Sequence, residues 1–263
     1  MNMRHLLSPE GRAALATTLL NAPLLAFDFD GTLAPIVARP DDACIPLAVA
    51  QRLSRLSTLL PLAIITGRTI DDVQGRLSFK PQYIIGNHGA EDPLLPNVAS
   101  SDVFDEIRAR LQVHAVELAT VGVTVEDKQH SIALHYRLAR DRDQALASIA
   151  KLIQGLGPAV NVYGGKLVFN VVSTAESDKA QALERLVKRC GARSAVFVGD
   201  DVNDEPVFAR QEPTWLTVRI GRDYPGSQAM FCLESPSEVA YMLDQMLKIL
   251  EGGFPSKESD AAM

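Results

Sequence analysis

Two aspartates stand at the end of a short apolar run near the start of the sequence. The run covers residues 24–27, and the segment "DFDGT" behind it places Asp28 and Asp30 two positions apart. Alternate residues of an extended segment point to the same side, so both carboxylates can serve one site, one as nucleophile and one as general acid and base. Gly31 would let the chain turn closely around a phosphate group. The alternative interpretation is a strand that simply ends in a polar turn.

Two further segments carry groups that can hold phosphoryl oxygens. In "AIITGR", Thr66 follows an apolar strand and can donate its hydroxyl, and Gly67 and Arg68 behind it are candidates for binding substrate. Lys179 lies at the predicted start of a helix, where its charge and the helix N-terminus would both neutralise an anion. Each feature has a simpler alternative, because Thr-Gly is a common turn and a single surface lysine usually has no specific role.

An acidic segment follows a later apolar run, in "AVFVGDDVNDEPVF". Gly199 ends the run, and Asp200, Asp201 and Asp204 come directly after it. Carboxylate oxygens are hard ligands, which suit Mg²⁺ better than a thiophilic metal. A solvated acidic turn is the alternative, but it does not explain why carboxylates also end the first strand.

Short apolar runs alternate with amphipathic stretches along most of the chain, which predicts a doubly wound, Rossmann-like α/β core with a mostly parallel sheet. The predicted strands are 24–27, 62–65, 83–85, 195–198 and 217–220. The predicted helices are 47–60, 70–77, 179–189 and 237–250.

The middle of the chain has a different pattern, with helices predicted at 102–118 and 141–153 and a strand hairpin after each. The first hairpin is "VTVEDKQHSIALHYR", and the second, "NVYGGKLVFNVV", is predicted to turn around Gly164 and Gly165. We therefore predict a smaller α+β domain at 98–175, inserted into a core formed by 1–97 and 176–263. Hinge motion is expected near 97 and 175, and the last twelve residues are expected to be a frayed polar tail.

The composition is that of an ordinary globular protein. Of 263 residues, 47% are hydrophobic and 22% are charged, which is enough for a proper core. The formal net charge is -6, so no overall attraction to nucleic acid or to an anionic membrane is expected. A local site can still be positive and bind a small anion.

The cysteines and the N-terminus bear on the compartment. Three cysteines stand far apart without metal-site spacing, so we expect them to be reduced and structural: Cys44, Cys190 and Cys232. Glu10, Arg12 and Pro23 interrupt the apolar stretches near the N-terminus, which argues against a signal peptide or a membrane span. A cytoplasmic monomer is the expectation.

Together, "DFDGTL", "ITGR", Lys179 and "GDDVND" resemble, in this order, the four motifs of the haloacid dehalogenase-like phosphotransferases. The resemblance implies that Asp28 takes the phosphoryl group as an aspartyl-phosphate. It implies that Asp30 is the acid toward the leaving alcohol and then the base toward water. Thr66 and Lys179 would hold the phosphoryl oxygens.

The same resemblance implies a Mg²⁺ site. Asp28, Asp200 and the backbone of Asp30 would hold the ion. Asp204 is expected to orient Lys179, and Asp201 to lie close behind the metal ligands. An inserted domain between the threonine and lysine motifs resembles the larger α+β cap of this superfamily, the type IIB cap, which closes over the site and contacts the leaving group.

Three segments also resemble trehalose-6-phosphate phosphatases: "VEDKQHSIALHYR", "GNHGAE" and "GDDVNDEPVF". Alternate strand residues share a face, so Glu126 with Lys128, and His135 with Arg137, can form polar patches that bind sugar hydroxyls. Cross-strand charge pairing on a solvated sheet is the alternative. His88, in "GNHG", is expected to be a structural or hinge-lining residue, with a direct ligand as the alternative.

Two positions depart from the pattern of trehalose-6-phosphate phosphatases. Asn170, also a candidate for binding substrate, stands where the family commonly carries a glutamate, and Asn203 stands where it commonly carries a threonine. The prediction is Mg²⁺-dependent hydrolysis of trehalose 6-phosphate, a step of trehalose synthesis. The alternatives are the same chemistry on sucrose 6-phosphate, a mannosyl phosphoglycerate or a hexose phosphate, a non-catalytic sugar-phosphate sensor, or a mutase.

Overall fold

The computed structural model describes residues 3–37, 39–95, 101–128, 131–165, 167–174 and 178–252. The predicted domain boundaries at 97/98 and 175/176, with their hinges, lie outside the described residues. So does the predicted tail after residue 252.

The helices and strands fall into three consecutive groups along the chain. The first group is β1 (Arg4–His5), α1 (Pro9–Leu20), β2 (Leu24–Phe27), α2 (Leu47–Leu56), β3 (Leu62–Ile65), α3 (Ile70–Gln74) and β4 (Tyr83–Ile85). The second is α4 (Asp105–Thr120), β5 (Thr124–Asp127), β6 (Ser131–His135), α5 (Arg142–Ile153), β7 (Val160–Gly165) and β8 (Val168–Ser173). The third is α6 (Lys179–Cys190), β9 (Ala195–Gly199), α7 (Glu205–Phe208), β10 (Trp215–Ile220), β11 (Phe231–Leu233) and α8 (Val239–Glu251).

The first and third groups build one parallel sheet of seven strands, in the order β1-β11-β10-β9-β2-β3-β4. β3 and β4 lie on one side of β2, whereas β9, β10 and β11 follow one another on its other side. The boundary between β2 and β9 is therefore the switch point, where open α/β sheets bind ligands beyond the carboxyl ends of their strands. The predicted doubly wound core is confirmed.

The strands of the core are buried on both faces. Leu25 and Phe27 of β2 pack in the cluster that contains α1, α2 and α8, whereas Leu24 and Ala26 pack in the cluster that contains α6 and α7. A strand with helices on both sides must be apolar at every position, because successive side chains point to opposite faces. This is why β2 shows a continuous apolar run and why charge begins only at Asp28.

The second group forms a separate antiparallel sheet, in the order β5-β6-β8-β7, and is called the cap below. Ile132 and Leu134 of β6 belong to a cluster with residues of α4 and α5, such as Ile107 and Ile149, so both helices cover one face of this sheet. The other face carries the polar residues that meet the core.

Several elements differ from the sequence prediction. β1 and β11 have two and three residues, too few to show a period, and α1 shows little separation of polar and apolar faces. The start of α1 is marked by Ser8, whose hydroxyl accepts a hydrogen bond from the Gly11 N–H. The short α7 was also not predicted, and α2 and α3 end before residues 60 and 77.

The second cap hairpin is confirmed, but its two glycines are not in the turn. Gly164 pairs with Phe169 and Gly165 pairs with Val168, so both glycines belong to β7. Gly165 instead allows a close approach to the core: a Cβ placed there would lie 2.6 Å from Asp201 Oδ2. A glycine is needed here because the cap and the core approach each other closely. A turn pattern in the sequence gives no sign of that contact.

The described residues also bear on the expectations for a membrane span and for the cysteines. Within them no helix combines the length and apolarity needed to cross a membrane. The three cysteines are free, and Cys232 is buried, but Cys44 is exposed, so the expectation that it packs in the structure is wrong.

A buried carboxylate ties the chain after β4 to α6, the helix that begins with Lys179. The side chain of Asp92 is fully buried, and Arg189 donates to both its oxygens at 3.1 Å, with Arg185 at 3.7 Å. Burial acts to raise the pKa of Asp92, but Arg189 and the Leu94 N–H outweigh it and lower the pKa. The pairing therefore anchors α6 against the strand-end loops.

We expect Asp92→Asn to lower the free energy of unfolding by about 2–3 kcal/mol, because it leaves two arginines beside a buried neutral amide. The pKa of Asp92 is lower in the folded state, so its contribution is present above the unfolded value of about 3.9 and is lost as pH falls through the folded value. Urea unfolding at pH 7 and pH 3 measures both effects.

Asp244→Asn is the matched control, since Arg52 donates to both oxygens of Asp244 at a more exposed position. Its cost is expected to stay below about 1 kcal/mol. Equal losses for the two variants would contradict the anchoring role of Asp92.

Candidate active site

The carboxyl ends of three adjacent strands bring the predicted residues to one edge of the sheet. Asp28 follows β2, Thr66 follows β3, and Asp200 follows β9, and these three strands are neighbours in the order β9-β2-β3. Asp28, Thr66 and Asp200 are all buried. The register of the parallel sheet therefore gathers residues that are far apart in the sequence.

Lys179 lies at the first position of α6 and reaches into this edge. Its Nζ atom is 2.6 Å from Asp204 Oδ1 and 3.1 Å from Asp28 Oδ2, and the lysine is almost completely buried. Burial acts to lower the pKa of Lys179, but Asp204 and Asp28 raise it above its ordinary value. The ammonium group therefore stays charged between two carboxylates.

Asp204 also fixes the acidic loop after β9. Its Oδ2 atom accepts hydrogen bonds from the backbone N–H groups of Asp200 and Asp201, at 2.9 and 3.0 Å. A Cβ on Gly199 would lie 2.4 Å from Asp204 Cγ, so the side chain folds back closely over the glycine. Both oxygens of Asp204 are thus engaged, one with Lys179 and one with the loop.

The carboxylates outnumber the cations at this edge. Ligand oxygens of Asp28, Asp200 and Asp204 lie within 4.8 Å of one another, and Lys179 supplies one positive charge among them. Burial raises the pKa of Asp28 well above its ordinary value, Lys179 opposes this, and Asp204 and Asp200 raise it further. An additional cation would relieve this repulsion.

The donor set and the available space fit a hard divalent cation. Oxygen ligands from several carboxylates are what Mg²⁺ and Ca²⁺ prefer. Gly31 has a φ angle of +78°, and a Cβ there would lie only 2.0 Å from Asp200 Oδ2. The chain therefore turns against Asp200 with no side chain between them. Asp28 and Asp200 line the cavity described below, whereas Asp204 does not, so Asp28 and Asp200 are the side chains within reach of a metal.

Thr66 lies beneath the cavity wall. Its hydroxyl oxygen accepts a hydrogen bond from the Arg68 N–H at 3.1 Å, and its backbone carbonyl accepts one from the His88 N–H at 2.9 Å. The hydroxyl proton of Thr66 can still be donated, since the hydrogen bond uses a lone pair. The loop after β3 is thereby linked to the loop after β4.

Asp30 is held by Arg68, a partnership that the sequence did not predict. Arg68 Nε and Nη2 donate to the two oxygens of Asp30, each at 2.7 Å, and Nη1 donates to Asp72 at 2.6 Å. The Pro40 carbonyl accepts a further bond from Nη2. The guanidinium of Arg68, predicted to bind substrate, is thus occupied by protein acceptors, and Asp30 keeps 38% of its side chain exposed toward the cavity.

The cap presents a connected polar face. Glu126 Oε2 lies 3.1 Å from His135 Nε2 and 3.6 Å from Lys128 Nζ. The hydrogen bond with His135 lowers the pKa of Glu126, burial opposes it, and Lys128 adds to the lowering. Glu126 therefore remains an acceptor with two donors beside it, and half of its side chain is exposed.

Side chains of the cap donate hydrogen bonds to loops of the core. Lys128 Nζ donates to the Gly67 carbonyl at 3.0 Å, and the Ser131 hydroxyl donates to Asn87 Oδ1 at 3.3 Å. Arg137 donates to the Val37 carbonyl. The cap in this structure therefore lies against the loops that carry the candidate catalytic residues.

One cavity of about 420 Å³ lies between the polar face of the cap and the strand ends. Eleven of the predicted site residues line it: Asp28, Asp30, Gly67, Arg68, Glu126, Lys128, His135, Arg137, Asn170, Asp200 and Asp201. The other three, Thr66, Lys179 and Asp204, are buried in the core and are not part of its lining.

Other lining residues were not predicted to bind: Val37, Asp72, His88, Thr124 and Asn203. Asp72 comes four residues after Arg68, a spacing typical of helical ion pairs, and this was the available signal. Thr124 precedes Glu126 by two in the same strand, so alternation also indicates it. Nothing in the sequence indicates Val37.

Comparison with known proteins identifies one matching family and several similar proteins. The sequence model of the family described as "Trehalose-phosphatase" matches residues 26–228. The chain is 33% identical over 233 residues to a probable trehalose-phosphate phosphatase of Sinorhizobium fredii, with 85% of this chain and 86% of that protein covered.

A trehalose-phosphate phosphatase of Mycobacterium avium is 32% identical over 251 residues, which is 88% of this chain and 63% of that protein. The chain thus spans less than two thirds of the length of this relative. A solved C-terminal domain of Candida albicans trehalose-6-phosphate phosphatase covers 96% of this chain with a TM-score of 0.77 and 21% identity. At that identity the likeness shows the fold.

If a divalent cation binds at Asp200, Gly31→Ala should weaken its binding at least about tenfold, because the added Cβ displaces the buried Asp200 carboxylate. Gly191→Ala is the matched control: its φ angle is +70°, but nothing lies within 4 Å of its Cβ position. Both variants should lose about 1–2 kcal/mol of stability from the left-handed conformation. Isothermal titration with Mg²⁺ that finds equal affinity in both variants would contradict the metal assignment.

Proposed function

Because the chain belongs to the trehalose-phosphatase family, we propose that it hydrolyses trehalose 6-phosphate to trehalose and phosphate through a phosphorylated Asp28. The observation that carries this proposal is the position of Asp28, buried beside the charged Lys179 at the floor of a cavity whose roof is a polar sheet face. The cavity volume lies within the range of roughly 300–1,000 Å³ usual for small-molecule sites.

In the first step a carboxylate oxygen of Asp28 attacks phosphorus and the bond from phosphorus to the sugar oxygen breaks. Asp30 donates a proton to the departing sugar oxygen, so trehalose leaves as a neutral alcohol. Lys179 and the Thr66 hydroxyl face the charge that spreads over the phosphoryl oxygens. Arg68 orients Asp30 through its paired hydrogen bonds.

In the second step Asp30 is a carboxylate and takes a proton from water, whose oxygen attacks phosphorus and releases Asp28. A single residue can serve in both steps because the proton it gives in the first is regained in the second. The 38% exposure of the Asp30 side chain supports this role, since it can reach both the sugar oxygen and water.

We propose Mg²⁺ as the metal, held by the side chains of Asp28 and Asp200 and the backbone carbonyl of Asp30. When bound, it would neutralise charge on the phosphoryl oxygens and on the crowded carboxylates. Asp204 keeps the role of orienting Lys179, and Asp201 stays close behind the metal ligands as part of the loop.

The cap is proposed to select the sugar. Glu126 accepts, whereas Lys128 and Arg137 donate, and His135 can do either, so the face offers the paired groups that sugar hydroxyls require. Asn170, on the neighbouring β8, can bond hydroxyls but brings no charge. This uncharged residue keeps another sugar phosphate as the second candidate substrate, on the same machinery.

A cytoplasmic location and a monomeric state remain proposals. The free cysteines among the described residues are consistent with a reducing compartment. Size-exclusion chromatography with light scattering would measure the oligomeric state directly.

The test of this proposal is phosphate release from trehalose 6-phosphate and from a panel of other sugar phosphates, with Mg²⁺ and with a chelator in its place. We expect Mg²⁺-dependent turnover with a preference of at least about tenfold for trehalose 6-phosphate, a difference of about 1.4 kcal/mol in transition-state binding. Asp28→Asn should lower kcat by at least about 10⁴-fold while the thermal unfolding midpoint is kept. Preference for another sugar phosphate would move the function to the second candidate, and an active Asp28→Asn variant would contradict the nucleophile.

The cap assignment is tested by Glu126→Ala. We expect kcat/KM for trehalose 6-phosphate to fall about tenfold to hundredfold, because a charged acceptor for sugar hydroxyls is lost. Hydrolysis of p-nitrophenyl phosphate, which has no such hydroxyls, should change less than about threefold.

Glu117→Ala is a closely matched control for this experiment. Glu117 also lies in the cap and also pairs with a histidine and a lysine, His114 at 3.0 Å and Lys151 at 3.6 Å. It lies outside the lining of the cavity. Equal effects of Glu126→Ala on both substrates, or an equal effect of Glu117→Ala, would contradict sugar recognition by Glu126.

A further inference from the structure

The loop after β4 holds two consecutive residues in the left-handed region. Asn87 has a φ angle of 47° and His88 a φ angle of 58°. Outside this loop, only Ala22, Leu167 and Gln211 share such an angle among the described residues other than glycine. Backbone strain of this kind persists where the surroundings enforce it, and it is concentrated at binding sites.

The side chain of His88 has unused hydrogen-bonding capacity. Its Nδ1 and Nε2 atoms are both buried, and neither makes a well-formed hydrogen bond to a described residue, although the Asn170 side chain lies close to the ring. The ring lies directly on Gly67, where a Cβ would be 2.3 Å from His88 Cε1. Buried polar atoms are nearly always paired, so two open positions on one ring point to a missing partner.

The ring is held between two cations. Burial is the main cause that lowers the pKa of His88 well below its ordinary value, and the positive charges of Lys179 and Lys128 lower this pKa further. The polar side chain of Asn170 acts in the opposite direction and raises it. The imidazole is therefore neutral and offers one N–H donor and one acceptor nitrogen. His88 lines one cavity with Lys128 of the cap and another with Lys179 of the strand-end edge, so it lies between the proposed places for the sugar and for the phosphoryl group.

His88 also separates two cavities. It lines the site cavity of about 420 Å³ and a second one of about 120 Å³ that extends toward Asn161 and Tyr163 of the cap. Asn203 is the other residue common to both, and its Oδ1 atom is likewise buried without a partner among the described residues. Open polar atoms thus occur at the wall that the two cavities share.

Resting on the function proposed above, we propose that His88 contacts the substrate: its ring hydrogen-bonds the sugar beside the phosphorylated carbon. The assignment is carried by the open ring nitrogens and by the position of His88, which lines the site cavity together with Lys128 and the smaller cavity together with Lys179. A neutral ring that both donates and accepts matches a sugar hydroxyl, which also does both. The strained backbone places the ring over Gly67 and at the wall of the cavity.

A purely structural role makes a different prediction. If the ring only filled space over Gly67, a residue that tolerates the left-handed conformation would replace it with little effect on substrate preference. Asparagine is such a residue, and its short amide does not reach as far as the imidazole. His88→Asn therefore relieves strain and removes the contact at the same time.

For His88→Asn we expect an unfolding midpoint equal to or above that of the wild type. The KM for the best sugar phosphate should rise about tenfold, the loss of one hydrogen bond to a polar ligand, with kcat within about threefold. The kcat/KM for p-nitrophenyl phosphate should stay within about twofold. His88→Gly, which also accepts the backbone angle, should give the same pattern and serves if His88→Asn does not fold.

Gln211→Gly is the control for strain alone. Gln211 has a φ angle of 46° and is exposed on a surface loop away from the site cavity. Its substitution should leave both substrates unaffected. An unchanged ratio of sugar-phosphate to aryl-phosphate kcat/KM in His88→Asn or His88→Gly would overturn the inference while the wild type remained an active phosphatase. Failure of the proposed function is read separately, from a wild type that hydrolyses no sugar phosphate.

Discussion

The buried ammonium of Lys179 between Asp28 and Asp204 is the interaction on which the rest of the site depends. Removing three charged groups from water costs several kcal/mol for each ion, and only close pairing with good geometry offsets that cost. The structure provides this geometry by holding Lys179 and Asp204 in place. Lys179 begins a helix that Asp92 anchors, and Asp204 is held by backbone N–H groups of its own loop.

The same pairing leaves the site with too much negative charge. One lysine balances one of the three carboxylates Asp28, Asp200 and Asp204, and the two remaining negative charges are what a divalent cation would neutralise. The tight turn at Gly31 brings the backbone directly against the Asp200 carboxylate. Substrate binding and charge balance are therefore aspects of one arrangement, in which the core supplies anions and a single fixed cation.

The cap adds cations and other hydrogen-bonding groups on the opposite side. Lys128 donates to the carbonyl of Gly67, the residue after Thr66, so a change in cap position would alter the loop after β3. His88 lies between this lysine and Lys179. A substrate that touches all three residues would couple the sugar to the phosphoryl group through direct contacts.

Much of the core could be predicted from the sequence, because a strand buried on both faces is an uninterrupted apolar run that stops at the first charged residue. This is how Asp28, Thr66 and Asp200 were found at adjacent strand ends. The partnership of Arg68 with Asp30 could not be predicted, since it depends on side-chain directions across two loops. The open nitrogens of His88 could not be predicted either, because the sequence does not show which polar groups lie near the ring.

The central claim is that Asp28 accepts the phosphoryl group, and the Asp30→Asn variant tests it most directly. With p-nitrophenyl phosphate and Mg²⁺, the leaving group departs without protonation, so only the second step needs Asp30. The account predicts a burst of nitrophenolate equal to the enzyme concentration, with the mass of one phosphoryl group found on Asp28 after rapid quenching. Turnover by this variant without a burst and without any phosphoryl group on Asp28 would contradict it.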